Sequence, residues 1–592
     1  MSNMAGERFN IAELLLEDHQ SDRAGNVAVR FEEQKLTYAG LLERTNRFGN
    51  ALRETAGLGI GDPVMLLLHD GPEFVISFLG SIKIGAVPIL TNPQLNASDY
   101  KQMFNLSRAT TVVVSDQAIG AVRSVMPDLR YLRRVITAGD SSLADGWSFQ
   151  EMVRSGSPEL SAAETLRDDP AFWLWTSGTT GSPQAVVHLQ HDILFTADAY
   201  ADHILKLRES DVCFSASKLF FAYGLGNSLS FPLRCGASSI LFPGRPSPEK
   251  LLELIDKYRP TVFFAVPTIY NALSKLDDDL TKEFDLGSVR LCASAGEALP
   301  ARVWSEWKRK FGLEILDGIG TTEVLHDFIS NQEGQVRPGS CGLPVPGYEV
   351  KLVDEWGNEV TSPRQNGFLM VKGDSTTPFY WLNHERTKKT IVGEWIYTGD
   401  IFYRDEDGFY WHQGRSTDML KPRGLWVSPI EVEGALLGHE AVYECAVVGV
   451  KDEMDLEKVV AFVVLKEGYA EGPELISDIK RFLRDKIDPY KIPTAVEFVP
   501  ELPKTTTGKI RRFLLRERET EALAKVRPTV GRSPQMETGN KGGAPRVDEV
   551  PTLVTLEYVR LREVCRYQNS GICTRDVARP RECTLSMCQL LR

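Results

Sequence analysis

Short apolar runs alternate with helix-spaced stretches along most of this 592-residue chain, and that alternation restricts the fold more than any other feature. VMLLL (64–68) precedes EFVISFLGSIKIGAV (73–87), TVVV (111–114) follows, and the pattern resumes in FFAVPTIYNALSKL (263–276) and LCASAGEALP (291–300). Strands alternating with helices build α/β layers around a parallel sheet. LTYAGLLERTNRFGNALRE (36–54) is apolar at helical spacing and predicts a helix ahead of that pattern. A chain of this length exceeds one core and implies two or more domains. From 340 to 411 the character changes: GYEVKLVD, GFLMVKG and GFYWHQG are short, β-rich and punctuated by glycine, and predict a small barrel or distorted sheet. Residues 416–520 read as compact α+β, with ECAVVGV and KVVAFVVL as strands. Beyond Val526, RPTVGRSPQMETGNKGGAPR is rich in Gly, Pro and polar residues and reads as a disordered linker. VPTLVTLEYVRLREVC, further on, is a candidate helix in an appended, non-catalytic tail.

Composition narrows the class. A hydrophobic share of 42% with 25% charged residues is that of a soluble globular protein. A formal net charge of −12 argues against a nucleic-acid partner, whose usual footprint is basic. No apolar run approaches the roughly 18 residues of a membrane span, and the mixed, acidic start lacks the order of a signal peptide. The nine cysteines are odd in number, scattered and without a CxxC pair. Reduced thiols in the cytoplasm fit that better than a disulfide framework or a zinc site.

The chemistry concentrates first in WTSGTTGSPQAVVH (175–188). Thr176, Ser177, Gly178, Thr179, Thr180 and Gly181 put four hydroxyls and two glycines into six positions. Backbone N–H groups and hydroxyls of such a loop close around a phosphate, although a solvated turn has the same composition. AFWLW before it reads as a strand, and AVVHLQHDILFTADAY after it as a strand end running into a helix. Downstream lie GIGTTE (318–323), YTGD (397–400), GRSTDMLK (414–421) and PKTTTGK (503–509).

Those five segments, in that order, resemble the adenylate-forming superfamily of acyl-CoA ligases, luciferases and peptide-synthetase adenylation domains, over roughly residues 8 to 520. KLFFAYGLGN (218–227) and LDGIGTTEVLHDFISN (316–331) resemble its benzoate-CoA ligase branch. The resemblance implies an N-terminal adenylating domain over 1–415 and a mobile C-terminal domain over 416–525, leaving 526–592 as the tail. It implies ATP, Mg2+ and CoA as cosubstrates and cofactor, an aromatic carboxylic acid as substrate, and a monomer or homodimer. Two other readings stay open: an adenylation enzyme that loads an aryl acid onto a carrier protein, and a catalytically weakened ligand-binding relative.

Activating a carboxylate with ATP requires that the triphosphate be held and neutralised, and that the acid lie in line with the α-phosphorus. Glu323 is a hard oxygen donor beside the hydroxyls of Thr321 and Thr322 and suits magnesium, while a Glu opening a helix is the plainer alternative. By resemblance, Asp400 binds the ribose with Arg415 near it, the alternative being a surface ion pair. Asp317 and Gly296–Glu297–Ala298 match adenine-side segments, with Ile319 where many relatives carry an aromatic ring. Lys509 matches the catalytic lysine, whose ammonium bridges the carboxylate and an α-phosphate oxygen as charge builds. Thr417 stands at the hinge position, usually Asp or Lys, and Gly424 matches the glycine beside the pantetheine arm, preceded here by the unusual Pro422 and Arg423. Gln184 replaces the usual loop lysine, and a neutral amide there implies slower adenylation or weaker ATP binding.

Ala222, Tyr223, Gly224, Ala295, Gly296, Gly320 and His326 match segments lining the aryl pocket. Small residues with one aromatic leave a slot for a single ring. Asp327 departs from the apolar residue usual after this His. A carboxylate beside a ring pocket is costly unless paired. It either meets a ring amino or hydroxyl group, or turns to solvent or a neighbouring cation.

Overall fold

The computed structural model describes residues 8–140, 146–177, 182–245, 247–422, 425–451, 456–504 and 510–518, together with the short strands Gln568–Asn569, Ile572–Cys573 and Arg581–Glu582. By internal contacts the chain divides into Met1–Arg527 and Pro528–Arg592. In the second unit the three short strands pair antiparallel. The candidate helix over 550–565 lies outside the described residues.

The first unit is built on two large sheets. One has seven strands in the order Trp147–Ser148, Arg134–Ala138, Thr111–Ser115, Pro63–Leu67, Val87–Leu90, Pro170–Ser177, Pro183–Leu189. All are parallel but for the final hairpin, in which Pro183–Leu189 runs antiparallel to Pro170–Ser177. The other has nine, in the order Leu343–Pro344, Asp327–Ser330, Ile315–Gly320, Leu291–Ser294, Val262–Ala265, Val212–Ser215, Ser238–Leu241, Val27–Phe31, Gln34–Thr37. Its middle is parallel and its two ends antiparallel. The expected strand–helix alternation is therefore present.

Helix Tyr38–Glu54 shows why these segments pack as they do. Thr37 caps it by accepting the Gly40 N–H, a contact that contributes about 1 kcal/mol. Its buried Tyr38, Leu41, Thr45, Phe48 and Leu52 recur every three or four residues and face helix Pro72–Lys83, which is buried along its length.

A five-stranded antiparallel sheet of Glu349–Val353, Gly367–Lys372, Ile391–Val392, Trp395–Arg404 and Tyr410–Arg415 occupies the β-rich stretch. A smaller C-terminal layer follows. Val442–Lys451 pairs antiparallel with Glu457–Leu465, which pairs parallel with Ala495–Phe498. Val432, Leu436, Val447, Val459, Ala461, Ile479 and Leu483 form its separate core. Among the described residues, no helix is long and apolar enough to cross a membrane.

Candidate active site

Strand Ile315–Gly320 and the turn after it are the hub of the site. Asp317 lies within the strand, Thr321, Thr322 and Glu323 form the turn, and the chain returns as Asp327–Ser330 with Gly320 opposite Asp327. The buried strand Pro183–Leu189 holds the turn from one side. His188 donates from Nε2 to the Thr322 carbonyl at 2.8 Å, and its Nδ1 lies 2.8 Å from the Asp192 carboxylate. Both side chains are fully buried, and the Asp192 carboxylate also accepts the Leu189 N–H. A second brace comes from the segment after Asp374. The Thr377 N–H donates to the Glu323 carbonyl at 2.8 Å, and the Tyr380 hydroxyl donates to Glu323 Oε1 at 2.6 Å. Tyr380 is itself seated against the same strand, bridging to Val186, while the Trp381 N–H donates to the Ala185 carbonyl. The Glu323 carboxylate is thereby aimed, and Thr321 Oγ1 beside it is buried with no hydrogen-bond partner among the described residues. A carboxylate next to an unpaired hydroxyl is a donor set that suits a hard cation carried by phosphate oxygens.

His188, Asp192 and Tyr380 were not among the expected site residues. A histidine in an apolar strand reads as core, and its partner turn lies 134 positions away.

The hairpin ends in Thr176 opposite Gln184 and Ser177 opposite Pro183. Gly178, Thr179, Thr180 and Gly181 lie outside the described residues, as do the side chain of Ser177, Gly424 and Lys509. Gln184 does not project freely: its Oε1 accepts from Asn383 Nδ2, and its Nε2 donates to the Ser182 carbonyl at 3.3 Å. Asn383 caps helix His384–Thr390, so Gln184 joins the loop to that helix.

Among the expected adenine-side residues, Glu297 Oε2 accepts from Thr268 Oγ1 at 2.7 Å, between half-exposed Ala298 and Gly296 with its φ of +91°. Asp317 is buried, its Oδ2 accepting a long bond from the Leu299 N–H, and burial holds its carboxyl well above the usual range. Asp400 stands opposite Arg415 on paired strands of the five-stranded sheet. Arg415 Nε lies 3.0 Å from Asp400 Oδ1 and His412 Nε2 3.3 Å from it. The two residues do pair, but this is no surface pair: the Asp400 side chain is 3% exposed and the Arg415 side chain 53%. The buried Cys341 thiol lies within electrostatic reach of three carboxyls. Its ionisation is opposed by burial first and then by Asp317, Asp327 and Asp400. Thr417 is exposed, and its carbonyl accepts from Arg516 at 3.2 Å.

Aromatic rings gather around His326. Helix Ala222–Leu225 carries Ala222, Tyr223 and Gly224, and buried Ala295 ends the neighbouring strand. The His326 ring stands 5.4 Å from that of Tyr223, 4.5 Å from Phe231 and 4.8 Å from Tyr200. It approaches Gly226 so closely that a Cβ there would meet its ring at 2.4 Å. His326 Nε2 donates to Asn227 Oδ1 at 3.2 Å, and burial pulls the imidazole pKa down to about 3, so the ring is neutral at neutral pH. Tyr200 was not expected. The helix after Asp192 widens to a π-helical course over Ala197–Leu205, which carries Tyr200 into this cluster. Asp327 is 2% exposed, and no Lys or Arg pairs with it among the described residues. That overturns the alternative in which it turns to solvent or to a cation. Burial in this uncharged surrounding raises its pKa to about 8.

Residues 16–381 match the AMP-binding enzyme family, and residues 431–509 match the AMP-binding enzyme C-terminal domain. The chain belongs to the AMP-binding enzyme family. Within that family it is similar to the benzoate–CoA ligase of Thauera aromatica, at 45% identity over 86% of this chain and 96% of that protein. It is 38% identical to the 4-hydroxybenzoate–CoA/benzoate–CoA ligase of Rhodopseudomonas palustris over 84% of this chain and 91% of that one. Among solved structures, an anthranilate CoA ligase, AuaEII, in complex with anthranoyl-AMP superposes with a TM-score of 0.83 at 40% identity, covering 87% of this chain and 98% of that one. A benzoate CoA ligase from Burkholderia xenovorans LB400 superposes with a TM-score of 0.79 at 41% identity, covering 86% and 100%.

Proposed function

We propose that the protein is an AMP-forming aryl-CoA ligase acting on a benzoate-type acid. The observation that carries this reading is the turn Thr321–Glu323, braced by His188 and Tyr380 on one side and joined on the other to the aromatic cluster at His326. A phosphate-and-cation site and a ring site then share one short stretch of backbone.

In the first half-reaction the aryl carboxylate attacks the α-phosphorus of ATP, and pyrophosphate leaves. In the second the CoA thiol attacks the acyl carbon, giving the thioester and AMP. The hydroxyls of Thr176 to Thr180 and the loop N–H groups hold the phosphates, with Gln184 supplying a neutral donor where a lysine would add charge. Glu323 with Thr321 would hold Mg2+, which supplies charge neutralisation on the phosphate oxygens when bound. Asp400 accepts from the ribose hydroxyls, with Arg415 paired to it. Lys509 places its ammonium on the carboxylate and α-phosphate oxygens during the first step, where a preorganised charge acts most strongly. Residues 1–415 form the adenylating domain and 416–525 the domain that carries Lys509. That smaller domain turns about Thr417 between the two steps, with Gly424 beside the pantetheine arm. The tail, 526–592, takes no part.

The test is a panel of aromatic and aliphatic acids with ATP, Mg2+ and CoA, reading pyrophosphate, AMP and thioester separately. Aromatic acids should give all three. Adenylate without thioester would favour transfer to a carrier protein, and no pyrophosphate with any acid would favour a binding role.

A further inference from the structure

Buried polar groups in folded proteins are almost always hydrogen-bonded, so a local concentration of exceptions marks a place where something polar belongs. Around His326 five such atoms gather. Tyr200 Oη, Tyr223 Oη, Asn227 Nδ2, His326 Nδ1 and Asp327 Oδ2 are each buried without a well-formed hydrogen bond among the described residues. The polar groups they do approach are chiefly one another: Tyr200 faces Asp327 and Ser330, Tyr223 faces Asn227, and His326 faces the Tyr223 backbone. Asp327 is the most informative. Its Oδ2 lies 3.9 Å from His326 Nδ1, too long for a hydrogen bond, and that ring is neutral at neutral pH. The other ionisable groups facing it among the described residues are Tyr200, Tyr223, Asp317, Cys341 and Tyr348, none of them a cation. The carboxyl lies along the glycines of strand Ile315–Gly320: a Cβ on Gly320 would stand 2.7 Å from Oδ1, and one on Gly318 3.1 Å from Oδ2. Two side chains are absent from the strand at the place where this carboxyl sits.

We infer that Asp327 is a specificity-determining residue that accepts a hydrogen bond from an amino or hydroxyl group on the ring of the aryl acid. The inference rests on the aryl-CoA ligase reading and adds to it the chemical class of the acid. An amino or phenolic hydrogen reaches the carboxyl and supplies a donor where, among the described residues, the protein brings only the Tyr200 hydroxyl to it. The carboxyl is held as its neutral form at neutral pH, so a hydroxyl can also accept its proton while donating its own. Unsubstituted benzoate, or a ring bearing methyl, leaves the buried carboxyl with the Tyr200 hydroxyl alone and Oδ2 without a well-formed bond. Sites built to hydrogen-bond a substrate group discriminate strongly against analogues that lack it.

The experiment uses the full chain with ATP, Mg2+ and CoA. kcat/KM is measured for benzoate and for the ortho, meta and para isomers of aminobenzoate, hydroxybenzoate and methylbenzoate. At least one amino or hydroxy isomer should exceed benzoate by about tenfold or more, while the methyl acid of the same pattern should not. Asp327→Val should shrink that ratio to within about threefold, mainly through KM of the substituted acid, and Asp327→Asn should keep part of it, because its amide oxygen still accepts. If Asp327→Val does not fold, the donor-against-methyl comparison in the unaltered protein decides the matter alone. Benzoate turned over at least as well as every donor-bearing acid would overturn the Asp327 assignment and leave the ligase reading standing. No turnover of any aromatic acid would overturn both.

Discussion

Asp327 has a consequence for stability that needs no substrate. Its pKa stands at about 8 in the folded protein, against 3.8 for the free side chain. The folded state therefore keeps a proton that the unfolded chain releases. Stability from this site is fully present below about pH 4, and it is lost as pH rises through about 8. Between those limits the folded form holds one proton more, so stability falls by about 1.4 kcal/mol per pH unit. The whole interval is on the order of 5 kcal/mol, a large part of the stability of an ordinary domain. Asp327→Asn keeps the shape and removes the titration. Urea unfolding followed by tryptophan fluorescence at pH 5, 6, 7 and 8 should show the Asn variant gaining on the unaltered protein at each step, by roughly 3–4 kcal/mol in all. Asp317, Cys341 and His326 are present in both proteins, so their own titrations largely cancel from the comparison. Parallel pH dependences for the two proteins would refute the reasoning, because they would mean that Asp327 reaches water or a cation when folded.

Three further outcomes are expected. Lys509→Ala should cut adenylate formation by about 100-fold or more while sparing thioester formation from preformed acyl-adenylate, and equal losses in both steps would remove the assigned role. Tyr380→Phe deletes the hydroxyl that donates to Glu323 Oε1. A hydrogen bond to a charged acceptor contributes about 1.5–3 kcal/mol, so adenylation should fall about tenfold or more with a raised Mg2+ requirement, and an unchanged Mg2+ titration would count against the brace. Truncation after Lys525 should leave both half-reactions intact, since the contact boundary falls at Arg527 and every proposed site residue precedes it; a folded but inactive truncated protein would contradict this.

Much of the architecture was legible because its signals are local. The period of apolar residues in Tyr38–Glu54 marks a helix and its buried face without reference to any neighbour. Strands Pro63–Leu67, Thr111–Ser115, Val262–Ala265 and Leu291–Ser294 announce themselves as short apolar runs, and so do Val442–Lys451 and Glu457–Leu465 in the smaller layer. Glu323, Asp400 and Lys509 became candidates in the same way, as residues inside contiguous motifs.

The braces and the ring cluster could not be found so, because each joins residues distant in the chain. His188 reaches Thr322 across 134 positions, and Tyr380 reaches Glu323 across 57. Sheet order and docking of the segment after Asp374 create these contacts, and neither leaves a periodic trace. Tyr200 arrives beside His326 through a π-helical course whose sequence, ADAYADHIL, reads as ordinary helix. For Asp327 the residue type alone left its direction open between substrate, solvent and cation. By itself, then, the sequence determined which elements form and marked the candidates for phosphate chemistry, since both signals depend on near neighbours. The tertiary structure alone decided that Asp327 is buried without a cation, because strand Asp327–Ser330 returns beside the glycines of Ile315–Gly320 and under Tyr200.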